Sequence, residues 1–333
     1  MLSIWFLRMS FQEITIAKRK LITRMRFKEY LKISLSGNRF SAPVYFYLTL
    51  PYFTYKFRRQ IKNNLIFDPG NAESMQWEER IKDVLECPDN RYIVRDPNAG
   101  KIINNRLIMH NGLKVHPLSY YGKYVLKMLI DNKGVHEPQE ERAFQDVLKE
   151  IPGNAKMMEL GSYWSFYSMW FNKAINGSTN FMIEPNPICM ESGKLNFRVN
   201  KLRGRFLNCY LGSRFIDGPI PTVSVDYLVN KLKIDHLHIL HSDIQGFEYE
   251  MLKGCDDSLK SNKISYFFIS THSDELHEKC SEFLRQREFQ IIASANSRES
   301  YSVDGIIVAK APFILKPVNI AISLKPSPEM VNQ

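Results

Sequence analysis

From residue 156 onward, short runs of Ile, Phe, Leu and Met alternate with amphipathic stretches, and this alternation constrains the fold more than any other feature. The strand candidates are MMEL (157–160), NFMIE (180–184), RFLNCYL (205–211), HLHILHSD (236–243), ISYFFISTH (264–272), FQIIASA (289–295) and DGIIVAK (304–310). Helical runs lie between most of them, at 165–175, 187–200, 246–254 and 274–287. Strands apolar on both faces, separated by helices, belong in a mainly parallel sheet covered on both sides. The last two candidates are joined by a polar loop without a helix, which predicts an antiparallel hairpin. The expected fold class is therefore α/β, a doubly wound, mainly parallel seven-stranded sheet with an antiparallel C-terminal hairpin.

Upstream, HEPQEERAFQDVLKEIPG (136–153) opens with proline and acids and puts Ala143, Phe144, Val147, Leu148 and Ile151 on one face, the pattern of a helix that Pro152-Gly153 ends. Residues 67–135 form an accessory α+β region, with β-type runs broken by Asp96-Pro97, Gly100 and Asn111-Gly112, then a helical stretch at 120–134. The expected divisions are an arm at 1–66, the accessory region at 67–135, the main domain at 136–315 and a tail at 316–333.

Charge separates the arm from the rest. The chain carries +10 overall, but residues 1–66 hold 13 Lys/Arg against two acids (+11), leaving 32 basic and 33 acidic residues elsewhere. The arm contains AKRKLITRMRFKEYLK (17–32) and PVYFYLTLPYFTYKFRR (43–59). The second stretch is too interrupted to span a bilayer, yet aromatics beside Lys and Arg suit an anionic membrane surface, here through residues 17–59. The plainer reading is a solvated basic helix followed by a docked aromatic segment. Nucleic acid is not expected as a partner, because no recognised nucleic-acid fold accompanies the charge. Five dispersed cysteines and the lack of a leader with a cleavage site point to the cytoplasm, with a peripheral place at the inner membrane surface as the arm's contribution.

In a doubly wound sheet, ligands bind at the carboxyl ends of the strands. Four such ends carry polar groups: Glu159-Leu160-Gly161, Glu184-Pro185-Asn186, Leu211-Gly212-Ser213 and Ser242-Asp243. The 25 residues from Glu159 to Glu184 suit one βαβ unit, and a carboxylate at the end of the second strand is placed for ribose hydroxyls. A dinucleotide site would want G-x-G-x-x-G. The loop here keeps one glycine and sets a carboxylate two residues before it. That arrangement repels a pyrophosphate and suits an ammonium-bearing nucleoside, S-adenosylmethionine.

Residues 136–310 resemble the FkbM-type methyltransferases, a branch of the Rossmann-like class I S-adenosylmethionine-dependent enzymes. The resemblance is carried by MMELGSYWSFYSMWF, FMIEPNP, VSVDYLV, HILHSDIQGFEYEMLKGC and VDGIIVAK. It departs from the family at Ser165, which stands where the first loop normally has a glycine. The resemblance implies that Glu159, Gly161, Ser162, Tyr163, Ser165, Glu184, Pro185, Asn186, Gly212, Ser213 and Ser242 surround the cofactor. Glu159 would lie near the methionine amino group, Glu184 on the ribose, and Gly212 and Ser213 beside adenine. Asp243 would face donor and acceptor, with Gln245 and Glu248 on the substrate side. The implied activity is O-methylation of a hydroxyl on a sugar, glycan or glycoconjugate. A neutral hydroxyl needs a base, for which the candidates are Asp243, His241 and His272 in that order.

Each of these residues has a plainer reading. Glu159 fits a salt-bridged strand end, Tyr163, Trp164, Phe166 and Tyr167 fit core packing, and Glu137 fits a helix-start acid. Strand alternation puts His236 and His238 on the face opposite His241 and Asp243, so the four cannot converge on a metal. A divalent metal is not expected, and Asp243 and His272 are the residues that would hold one. Two rival functions remain: a nicotinamide-dependent sugar oxidoreductase, and a catalytically silent methyltransferase-like module that binds or tethers a glycan.

Overall fold

A computed structural model describes residues 41–62, 71–318 and 320–326. The expectation for residues 17–32 falls outside them. Helix α1 (Ala42–Lys62) is followed by α2 (Ala72–Glu86), which Asn71 caps through the Ser74 amide. A three-stranded antiparallel sheet comes next, made of β1 (Ile102–Ile103), β2 (Arg106–Ile108) and β3 (Lys114–Val115), and then α3 (Lys123–Asp131). Helix α4 (Pro138–Leu148) starts at the expected proline.

The main domain then runs β4 (Lys156–Leu160), α5 (Phe166–Ala174), β5 (Thr179–Ile183), α6 (Pro187–Val199) and β6 (Arg205–Leu207). A short parallel pair follows, β7 (Tyr210–Leu211) with β8 (Thr222–Val223), then α7 (Val225–Lys231) and β9 (Leu237–Ser242). The chain closes with α8 (Glu248–Lys253), α9 (Asp256–Lys260), β10 (Ile264–Thr271), α10 (Asp274–Arg285), β11 (Gln290–Ala295) and β12 (Gly305–Lys310).

Among the described residues the large sheet has seven strands in the order β11-β12-β10-β9-β4-β5-β6. Strands β10, β9, β4, β5 and β6 pair in parallel, and β12 enters antiparallel between β10 and β11. This is the Rossmann-like class I methyltransferase arrangement, with the C-terminal hairpin that the helix-free loop predicted. Alternation sorts the core into two layers. Met157, Ile239, Phe268 and Val308 face α4 and α5, while Met158, Leu240, Phe267 and Ile307 face α7, α8 and α10. Each such side chain, fully buried, contributes about 1.5–3 kcal/mol against exposure.

Two local differences from the sequence expectation matter. The third strand is not continuous over 205–211 but ends at Leu207, because the Asn208 amide donates to the carbonyls of Glu184 (2.8 Å) and Pro185 (2.9 Å) and turns the chain out of the sheet. The aromatic segment 43–59 lies within α1, which docks on α6 and α3 with Ala42 and Phe46 buried. No helix among the described residues is long and apolar enough to cross a membrane.

The accessory region is pinned to the main domain through α6. Asn200 bonds both the amide and the carbonyl of Lys114 (2.9 and 2.7 Å), and Asn196 accepts from the His116 amide at 2.9 Å. These bonds bring the chain between β3 and α3 alongside the strand ends.

Candidate active site

The sheet changes direction between β4 and β9, the switch point at which a doubly wound fold opens a crevice. Gly161 closes its floor. Its φ is 73°, and a Cβ there would stand 1.8 Å from the Asp243 carbonyl oxygen, so only glycine lets the first loop lie on the end of β9. Its amide and that of Ser162 both bond the Ile183 carbonyl (2.9 and 3.0 Å), tying the loop to β5 as well.

Glu159 is buried and accepts from the Ser168 amide at 3.1 Å. It serves as a hydrogen-bond acceptor at the start of α5, whose own N-cap, Ser165, makes no side-chain capping bond. The residue is thus engaged by the helix that follows the loop and is buried away from solvent. Burial pushes its carboxyl up to about 7, against the opposing pull of His241 and the Ser168 hydrogen bonds.

Ser165 adopts the left-handed region at φ 61°. Room for it comes from Gly193 on α6, where a Cβ would lie 2.4 Å from the Ser165 hydroxyl oxygen. Tyr163, also at positive φ, gives its amide to Glu184 (2.9 Å), and the Asn186 amide binds the other Glu184 oxygen at 2.7 Å. Burial raises the Glu184 carboxyl to about 7 in spite of those two bonds. Asn186 also caps α6 through the Ile188 and Cys189 amides, and Pro185 contributes its carbonyl to Asn208.

On the acceptor side, His272 stands at the end of β10 between carboxylates. Its Nε2 is 3.2 Å from Asp243 and 3.6 Å from Asp304, and its Nδ1 is 3.1 Å from Glu248. Burial alone would depress the imidazole, but the hydrogen bonds to Asp243 and Glu248 and the charges of Asp304 and Asp243 hold it at about 11. His272 is thus tied through both ring nitrogens, and Asp243 is the more open of the two candidate bases. Glu248 is fixed by the Ile244 amide (3.0 Å) and the Gly246 amide (3.1 Å), and Gln245 bonds both Asp243 (3.0 Å) and His272 (2.9 Å).

Asp304, just before β12, is pushed up to about 6 by burial, with His272 pulling it down and Asp243 and Glu137 pushing it up. Arg80 of α2 acts on the same carboxyl from the accessory side. Tyr120 and Tyr121 complete this rim, with the Tyr121 ring 5.2 Å from that of Tyr163.

His241 is placed elsewhere. It is buried beneath the crevice, 2.6 Å from Glu140 and with its ring 4.3 Å from that of Tyr167, so the structure removes it from the set of candidate bases. Gly212 and Ser213 follow the short β7, beyond the turn that Asn208 makes out of the sheet. Gly212 lies against Gly254, and Ser213 bonds Glu250 at 3.1 Å. Ser242 is buried at the end of β9. His236 and His238 bond Ser265 and the Lys156 amide, apart from His241 as alternation required.

The residues that sequence reading missed are Asp304, Arg80, Tyr120 and Asn208, and it undervalued Glu137. Glu137 is no mere helix-start acid: it binds His136 (3.1 Å) and receives the Tyr167 hydroxyl (3.0 Å). The VDGIIVAK motif already contained Asp304 and was the one available signal.

The donor set fits an amino-acid-bearing nucleoside. Two strand-end carboxylates, Glu159 and Glu184, sit beside a single-glycine turn, and the hydroxyls of Ser162, Ser165 and Ser242 are buried without a hydrogen-bond partner among the described residues. Asp243, Glu248 and His272 also lie within 4.8 Å of one another, a grouping able to surround a cation.

No curated protein sequence matches the chain. Solved structures with some likeness include precorrin-6y C5,15-methyltransferase from Geobacter metallireducens, at 14% identity over 52% of this chain and 88% of that one, with a TM-score of 0.38. TrmK of M. capricolum, in complex with S-adenosyl-homocysteine, shows 13% identity over 51% and 68%, with a TM-score of 0.35. The METTL16 MTase domain shows 16% over 51% and 64%, with a TM-score of 0.38. Such values leave activity to be argued from this chain's own residues. Residues 210–291, from β7 into β11, match the family model of the methyltransferase FkbM domain, the family that the motifs resemble.

Proposed function

We propose that the protein transfers a methyl group from S-adenosylmethionine to a hydroxyl of a sugar, glycan or glycoconjugate. The observation that carries this reading is the meeting of Gly161 with Asp243, which puts the nucleoside side of the crevice against a carboxylate cluster. Glu184 would hold the ribose hydroxyls, and the loop amides would border the amino-acid end. The cofactor supplies a methyl carbon activated by a sulfonium. What remains for the protein is alignment and removal of one proton.

Asp243 is the residue for that proton. It is held by Gln245 and His272, and it remains partly open to the crevice. The Asp243 carboxylate would take the hydroxyl proton as the methyl group is transferred to the hydroxyl oxygen. Glu248, locked to the β9–α8 turn, keeps His272 in place. The rim of carboxylates, the Gln245 amide, and Tyr120 and Tyr121 suit a polyol, which presents hydroxyls to acids and C–H faces to rings.

The test pairs isothermal titration of S-adenosylhomocysteine with transfer of labelled methyl to surface glycans. Asp243→Asn is expected to keep cofactor affinity and lose about 10²–10⁴-fold in transfer. Unimpaired turnover would refute the assignment. Binding of NAD(H) but not of S-adenosylhomocysteine would favour the oxidoreductase instead.

A further inference from the structure

Helix α1 presents different surroundings on its two sides. Ala42 and Phe46 are buried toward α6, and Tyr47 contacts Glu191 (3.4 Å) and Arg198. On the other side Val44, Leu48 and Tyr55 are 61%, 75% and 68% exposed, and Pro51 is exposed with them. At the helical period, positions 44, 48, 51 and 55 fall within an arc of about 60°. They form an apolar ridge about 16 Å long. We infer that this ridge seats α1 in the interfacial layer of an anionic phospholipid bilayer.

Charge supports that occupant. Beyond the ridge the helix reads Lys-Phe-Arg-Arg-Gln-Ile-Lys (56–62), within a segment of net charge +11, whereas the rest of the chain is close to neutral. An apolar face beside clustered Lys and Arg on a helix too polar to span is the composition of a helix lying in the headgroup region. A second copy of the chain is a poorer occupant, because four side chains cover far less than the roughly 800 Å² per partner of a stable interface. The location has a consequence. Helix α1 rests on α6, which begins directly after Glu184-Pro185-Asn186, and on α3, which follows Tyr120-Tyr121, so docking would hold both rims of the crevice beside the bilayer.

The experiment is flotation of the full chain with phosphatidylglycerol–phosphatidylcholine vesicles and with phosphatidylcholine vesicles alone. Binding to the anionic vesicles, weak binding to the neutral ones, and an emission blue shift of Leu48→Trp on the former are expected. The double variant Val44→Glu, Leu48→Glu should lose affinity at least about ten-fold while keeping its melting temperature and S-adenosylhomocysteine binding. Equal binding by the double variant would place the membrane contact elsewhere and overturn the inference, as would a wild type that ignores both vesicles. A wild-type dimer that the double variant dissolves would make the ridge a contact between copies. Because cofactor binding is read separately, failure of the membrane arm leaves the methyltransferase reading standing.

Discussion

Ser165 adopts the left-handed backbone conformation that glycine takes most readily. A left-handed residue with a Cβ costs roughly 1–2 kcal/mol, and the Ser165 hydroxyl returns nothing, being buried without a partner among the described residues. Ser165→Gly is therefore expected to raise stability by up to about 1 kcal/mol, read from urea unfolding. A loss would mean that the hydroxyl has a partner in solution. Asp304 makes the opposite point about legibility. The motif displayed it, yet its role arises from His272 at 3.6 Å and from Glu137 and Arg80, residues from distant parts of the chain. No local period marks such a meeting.

At the scale of elements, α4 and β9 are joined by Glu140 and His241, a buried pair that the helix's apolar stripe did not announce. Burial disfavours the imidazolium, and the Glu140 carboxylate reverses that, raising the His241 pKa. Removing one partner strands the other in a low dielectric. Glu140→Ala is expected to cost about 3–5 kcal/mol in chemical denaturation, far more than truncation of an exposed glutamate. A cost below about 1 kcal/mol would show that water reaches His241. Strand lengths and helix starts were readable because alternation and caps are local. The early end of β6 was not, since it follows from one Asn208 side chain reaching carbonyls 23 and 24 residues away.

The whole molecule carries a pH signature. Glu159 and Glu184, ordinarily near 4.5, lie at about 7, and Asp304 lies at about 6. Through these three carboxyls the folded state takes up protons that the unfolded chain does not between about 4.5 and 7, and their contribution to stability falls as pH rises through that window, opposed below about 6.5 by His238, which burial holds down to about 4. His272, with its folded value raised to about 11, contributes stability that is fully present below about 6.5 and is lost only as pH climbs towards 11. Ligand-free Glu184→Gln is thus expected to lose less melting temperature between about pH 5 and pH 7 than the wild type. In the proposed function Glu184 would accept ribose hydroxyls, best when ionised, so the rise in melting temperature with S-adenosylhomocysteine should grow over the same interval. Flat curves in both series would remove Glu184 from the cofactor site.

The order of apolar runs was enough for the sheet, its antiparallel last strand and the placing of Glu159, Glu184 and Asp243 at strand ends, because pleat and helix periods act over a few residues. Which of those groups meet was decided only by packing. Gly161 lies on the Asp243 carbonyl, His272 is ringed by three carboxylates, and His241 is drawn under the sheet by Glu140. Such distances depend on how layers and loops from separate stretches settle against one another, and burial then sets the charge on each group.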